Sequence, residues 1–372
     1  AARAVLAPLL AQPAHAGEHQ VSAVGHAHID SAWLWPLRET VRKCARSFAN
    51  VTQLAEDYPD AVFACSQMVQ YAWVRDRYPD LWERVRAAVA AGSFVPVGGM
   101  WVECDGNLPG GEAMVRQLTY GKRLLADELG VTTRGVWLPD TFGYSGALPQ
   151  ICRLAESDWF MSQKMSWNAT NVFPHHTFWW EGIDGSRVFT HFPPSDTYNS
   201  GVYGGEVHRC AASFKDSGPA NRSLLAFGWG DGGGGPTREM IERARRLADL
   251  EGSPKVTIEP PDAFFAKAQA EYPQAPVWVG EMYLEFHRGT YTTHVANKQG
   301  NRRCEHLLVE AEMWWASAAL QTGADYPYDE IDQIWREVLL EQFHDILPGS
   351  SIRWVQLAMA RVAGQLGKGK AA

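Results

Sequence analysis

The stretch VSAVGHAHIDSAWLWP, residues 21–36, sets the reading of the whole chain. A short apolar run ends in His26, His28 and Asp30, and Trp33 and Trp35 follow at once. Residues two apart on an extended strand end point to the same side, so His28 and Asp30 can clasp one ion. Imidazole with carboxylate is a borderline ligand set that suits Zn²⁺, with other first-row divalent metals as alternatives. The bland alternative is a polar pair at a strand-to-loop turn. His26 shares the face one step deeper and reads as a buried, hydrogen-bonded support.

Similar runs recur at 61–67, 93–99, 135–140, 158–163, 187–193, 223–230 and 277–285, separated by amphipathic stretches such as 37–57 and 109–128. Strand–helix alternation implies parallel strands with helical crossovers. Nearly every run ends in polar or aromatic residues: HIDSAW, MWVECDGN, PDTFGYS, SQKMSWN, HFPPSD, GWGDGGGG and LEFHRGTY. Sites in α/β folds form at the carboxyl ends of the strands, so many polar ends suggest one shared pocket. From about residue 295 the pattern becomes helical, with segments at 302–321 and 329–347, the second closed by Pro348-Gly349. The final GQLGKGKAA reads as a frayed tail.

Composition narrows the function classes. An apolar fraction of 46% with 20% charged residues supports a packed core. A net charge of -8, without any basic run, argues against nucleic acid. Nothing approaches the ~18 apolar residues needed to span a bilayer. Residues 1–15 resemble a signal peptide only weakly, since Pro8 breaks the apolar part, and a helix tail or linker fits better. Six scattered cysteines without a C-x-x-C pair read as reduced, buried thiols of a cytoplasmic protein.

Three further stretches carry candidate chemistry. In VWLPDTFGYS, 136–145, Asp140 stands at a strand end, where it could also cap a helix. In GWGDGGGGP, 228–236, the glycines let backbone approach a ligand, and no Gly-Lys-Ser/Thr follows to make a phosphate loop. Asp231 there reads as a carboxyl group on a sugar-accessible loop. In EQFHDILPGSS, 341–351, His344 follows an apolar stripe of Ile331, Trp335, Val338, Leu339 and Phe343; a satisfied core histidine is the ordinary reading. Sixteen tryptophans are many for this length, and indole faces stack on sugar rings. Trp33, Trp101 and Trp229 lie beside strand-end acids, whereas Trp179, Trp180, Trp314 and Trp315 read as core.

Taken together the chain resembles glycoside hydrolase family 38, the retaining α-mannosidases, in its cytosolic and bacterial branch. The likeness is carried in order by residues 25–48, 98–117, 137–151, 163–168, 228–237, 280–293 and 341–351. It implies a distorted parallel β/α barrel of about seven strands over 16–294 and an incomplete helical bundle over 295–372. It also implies that the chain is a fragment lacking β-rich C-terminal domains, and that its two bundle helices are only partly covered. The metal would be zinc, with cobalt an alternative, held by His28, Asp30, Asp140 and His344. Asp140 would also be the nucleophile, and Asp231 the acid/base, with Asp105 and Glu285 as the next candidates. Trp33, Trp101, Lys164 and Trp229 would contact the sugar. The expected reaction is hydrolysis of terminal α-mannosides of oligosaccharides with retention, its two carboxyls about 5 Å apart. A zinc amidohydrolase or deacetylase acting on a carbohydrate is the rival reading, and a non-catalytic carbohydrate-binding module a third.

Overall fold

A computed structural model of the chain describes residues 2–359. Its centre is β1, Gln20–His26, buried along almost its whole length, as a strand covered on both faces must be. It pairs in parallel with β8, Arg222–Phe227, from Gln20↔Arg222 to Gly25↔Phe227. It also pairs with β9, Lys255–Ile258, along its first half, and with β2, Phe63–Gln67, at Gly25 and His26. β3, Phe94–Met100, extends the sheet beyond β2. A second sheet runs in the order β10, β6, β7, β5, β4. Its members are β4, Gly135–Trp137; β5, Trp159–Met161; β6, Thr177–Glu181; β7, Arg187–His191; and β10, Val277–Val279.

Two expectations need correction. The strands form two open five-stranded sheets rather than a closed parallel barrel of seven, and β6 and β7 run antiparallel. One break falls between β3 and β4, which lie side by side without a ladder; a Cβ on Gly98 would sit 3.4 Å from the Trp137 nitrogen. The ladder between β2 and β3 slips between Cys65 and Gln67, beside Gly98 and Gly99 at φ 78° and 68°, and resumes at Gln67↔Met100. All eight runs read as strands contain one. The two strands missed, β6 and β9, are short and wedged between prolines and turns. β6 folds back on β7 through a turn closed by the Gly182 N–H on the Ser186 carbonyl at 2.9 Å, with Gly185 at φ 86°.

The aromatic core is held by Trp137, Trp180 and Trp335, all fully buried. The six cysteines are buried and free. Among the described residues no helix is long and apolar enough to cross a membrane. Residues Ala2–Leu10 form an exposed helix.

The C-terminal helices are Val295–Thr322 and Tyr328–Glu341. The second bears the expected stripe, with Ile331, Trp335, Val338, Leu339 and Phe343 all buried. It stops at Glu341, six residues earlier than read, because the following chain pairs with residues 103–105 instead. The Asp105 N–H donates to the Gln342 carbonyl at 2.9 Å, and the His344 N–H to the Glu103 carbonyl at 3.2 Å. Trp314 and Trp315 are not core: they are 66% and 43% exposed. The tail 364–372 lies outside the described residues.

Candidate active site

The polar strand ends meet. Beyond β1 the chain carries His28 and Asp30; beyond β3, Glu103; beyond β4, Asp140. The 3-10 helix Lys164–Trp167 follows β5, and Tyr198 follows β7. The glycine loop after β8 is drawn inward: Ile29 bridges Gly232, and the Asp30 N–H donates to the Asp231 carbonyl at 3.2 Å. Asp231 itself stands at φ 56°, a left-handed position that Asp tolerates better than most residues. A cleft of about 240 Å³ opens here, lined among others by Trp33, Asp140, Lys164, Asp231, His287 and Asp345.

At its floor one ligand atom from each of His28, Asp30, Asp140 and His344 lies within 4.8 Å of all the others, and all four residues are buried. His28 Nε2 is 3.0 Å from Asp30 Oδ1 and 3.9 Å from Asp140 Oδ2. His344 Nε2 is 3.6 and 3.7 Å from the same two oxygens. Ligands held about 2.0–2.2 Å from one tetrahedral ion stand about 3.3–3.6 Å apart, and the observed separations of 3.0–3.9 Å bracket that spacing. His28 Nε2, Asp30 Oδ1 and His344 Nε2 have no hydrogen-bond partner among the described residues, a costly state for buried polar atoms and one that an ion would relieve. Burial disfavours a charged His28 ring, but Glu103 and Asp30 outweigh it and raise the group well above the ordinary histidine range. Lys164 Nζ pairs with the other oxygen of Asp140. Burial first, then the Asp30 and Asp140 carboxylates, raise Asp231 against the pull of His28, and the Tyr198 hydroxyl donates to its Oδ1 at 3.1 Å.

Residues 18–281 match the family model described as "Glycosyl hydrolases family 38 N-terminal domain". The chain belongs to glycosyl hydrolase family 38. Residues 285–368 match a second model, "Alpha mannosidase middle domain". Among curated relatives, human "Alpha-mannosidase 2C1" is 50% identical over 345 residues, 92% of this chain and 33% of that protein. The Saccharomyces cerevisiae "Alpha-mannosidase" is 41% identical over 356 residues, again covering 33% of that protein. The chain thus spans about a third of the length of the curated relatives it matches. An alpha-mannosidase structure from Enterococcus faecalis V583 shares the fold with a TM-score of 0.82 at 23% identity, over 94% of this chain and 41% of that one.

Within this family 38 fold the residues singled out from sequence take distinct places. Trp33 and Lys164 line the cleft with Asp140 and Asp231. Trp101 does not: it is buried, and its Nε1–H donates to the Arg336 carbonyl at 3.1 Å. Trp229 lies half exposed on the glycine loop, outside the lining. Asp105 and Glu285 are also outside it. Asp105 accepts the Asn107 and Leu108 N–H groups at 2.8 and 2.7 Å and so fixes a turn, and Glu285 accepts the Thr170 N–H. His26 is buried with Nδ1 3.1 Å from the Ala64 carbonyl, the supporting place expected of it, and burial lowers it to about 4. Residues of the site that were not singled out include Glu103, Asp196, Tyr198, His287 and Asp345. Glu103, Asp196, His287 and Asp345 stand in quoted motifs, but nothing local marks them; Glu103 looks like Asp105 two residues on.

Proposed function

We propose that the protein hydrolyses terminal α-mannosides with retention of anomeric configuration. The observation that carries this reading is the convergence, in one cleft, of a four-ligand cluster that includes Asp140 with one further carboxylate, Asp231, on the loop after β8. The mannoside specificity is supported by the printed names of the relatives, and membership of family 38 supports the hydrolysis.

His28, Asp30, Asp140 and His344 would hold the ion. Zinc suits this donor set best, with cobalt an alternative. When bound, it supplies Lewis-acid contact to sugar hydroxyls beside the reacting carbon. The rest of the chemistry belongs to the chain. Asp140 attacks the anomeric carbon through a carboxylate oxygen, giving a covalent mannosyl-enzyme. The Lys164 ammonium beside it balances its charge and limits where it can point. Asp231 donates its proton to the departing oxygen, then takes one from the incoming water. A raised carboxyl is what such an acid needs, since it must carry a proton before each turnover. Trp33, at the cleft wall, offers an indole face to the ring. An oligosaccharide is the substrate class, and the free buried thiols support a reducing, cytoplasmic setting.

The direct test follows an aryl α-mannoside by proton NMR during early turnover, with and without a chelator. The α anomer of mannose should appear first, and chelation should stop the reaction. First appearance of the β anomer, or full activity after complete metal removal, would contradict the reading.

A further inference from the structure

We propose that Glu103 orients both histidines of the cluster, its carboxylate acting on His28 and its main-chain carbonyl on His344. The proposal rests on the reading of His28, Asp30, Asp140 and His344 as metal ligands. Glu103 is 1% exposed and follows β3, the strand whose end meets the turn after Glu341. Its Oε2 stands 3.1 Å from His28 Nδ1, and its Oε1 accepts the Ser66 hydroxyl. Its carbonyl oxygen lies 2.7 Å from His344 Nδ1 and also accepts the His344 N–H at 3.2 Å. A carbonyl can only accept, so His344 Nδ1 carries the hydrogen and its Nε2 lone pair faces the cluster. An ionised carboxylate likewise accepts only, which places the hydrogen of a metal-bound His28 on Nδ1 and frees Nε2 in the same direction. The two rings stand 5.4 Å apart and nearly parallel, 23° between planes, as expected of rings aimed from one support. Fixing tautomer and ring direction through the distant nitrogen is how outer groups raise the affinity of ligating histidines. The two arms are chemically separate: a side-chain substitution removes the hold on His28 and leaves the carbonyl on His344.

One competing role exists on the same atoms. His26, His28 and Glu103 each offer one ligand atom within 4.8 Å of the others, and His26 Nε2, His28 Nδ1 and Glu103 Oε2 make no hydrogen bond among the described residues. They could therefore hold an ion of their own, with His28 bridging two metals. The 3.1 Å charged contact of Oε2 with Nδ1, off line for a hydrogen bond as it stands, needs only a small turn of the ring to share a hydrogen and favours that instead.

The test uses metal-free chain as wild type, Glu103→Ala and Glu103→Gln. Zn²⁺ is titrated against a chromophoric chelator, and the Co²⁺-loaded forms are compared by visible absorption. Wild type should take up one equivalent. Glu103→Ala should keep one site but bind about 10–100-fold more weakly. Glu103→Gln should fall between, because its amide oxygen still accepts the Nδ1 hydrogen. Both variants should shift the Co²⁺ bands, a change that loss of stability alone would not produce. Wild-type affinity and spectrum in both variants would overturn the proposal. So would two equivalents in wild type with one lost outright in Glu103→Ala, which would make Glu103 a ligand. No uptake by wild type would instead overturn the metal reading itself, and needs no variant to see. If Glu103→Ala does not fold, the near-isosteric Glu103→Gln decides by itself whether affinity and spectrum move.

Discussion

Asp231 sits in a left-handed backbone position at φ 56°, so the residue chosen to replace it matters. Alanine there adds backbone strain, whereas asparagine tolerates the same conformation and only removes the proton. Asp231→Asn should lower hydrolysis of mannosides with poor leaving groups by about 10²–10⁴-fold. Dinitrophenyl mannosides, which need no protonation to depart, should lose far less in the first step. Equal losses on both substrates would move the acid role elsewhere. A second residue makes a pH prediction. His176 Nδ1 accepts the Lys215 N–H at 3.1 Å, and burial, with Lys215 and His175 nearby, lowers the group to about 3. The folded chain therefore binds this proton less readily than the unfolded chain, whose histidine titrates near 6.5. Stability from this group is full above pH 6.5 and is lost as pH falls from there toward 3. Urea unfolding from pH 7 to 4 should show a falling midpoint, and His176→Asn should fall less. An identical pH slope in the variant would contradict the assignment.

Helices decide how firmly the strand ends are held. Helix Gly111–Leu129 packs against β3, where a Cβ on Gly121 would lie 2.3 Å from the Gly99 carbonyl oxygen. Alanine is the better helix former by about 1 kcal/mol, yet here packing overrides propensity. Gly121→Ala should destabilise by about 1–3 kcal/mol, read from chemical unfolding; a gain in stability would show that β3 shifts freely. Trp335 anchors the second C-terminal helix: it is fully buried, donates to Glu312 at 3.1 Å, and has the Arg116 guanidinium 4.2 Å above its ring. Trp335→Ala should cost about 3–5 kcal/mol and lower Zn²⁺ affinity with it, since this helix delivers His344 to Glu103. Unchanged affinity would separate the helix from the site. The stripe that seats this helix was legible in the spacing of Ile331, Trp335, Val338 and Leu339. Its early end was not, because the main-chain pairing with residues 103–105 joins segments far apart in sequence, His344 with Glu103 being 241 residues apart.

Across the whole molecule, legibility follows the range of the interaction that decides each feature. His28, Asp30 and Asp140 could be singled out because ligand types at strand ends give a local signal, whereas His344, behind a helical stripe, was a ligand candidate only through the family likeness. Glu103 could not, because Asp105 beside it has the same local character and only the fold turns one of them toward His28. Strand positions were read from short apolar runs, but the closure of a barrel depends on ladders between all its neighbouring strands, and β3 and β4 form none. Trp314 and Trp315 carry the sequence signature of core, yet they lie exposed with Met313 and Leu320. Each forgoes about 1.5–3 kcal/mol of burial, so the isolated chain should self-associate in light scattering, and replacing Trp314 and Leu320 with Gln should reduce this. A monomer at every concentration would show that these side chains are harmless in water. The central claim remains that Asp140 forms a covalent bond to the sugar. A mechanism-based fluorinated mannosyl probe, followed by peptide mass spectrometry, measures this directly. The account predicts one label per chain, on the peptide containing Asp140, and none in Asp140→Asn; a label on another residue would contradict it.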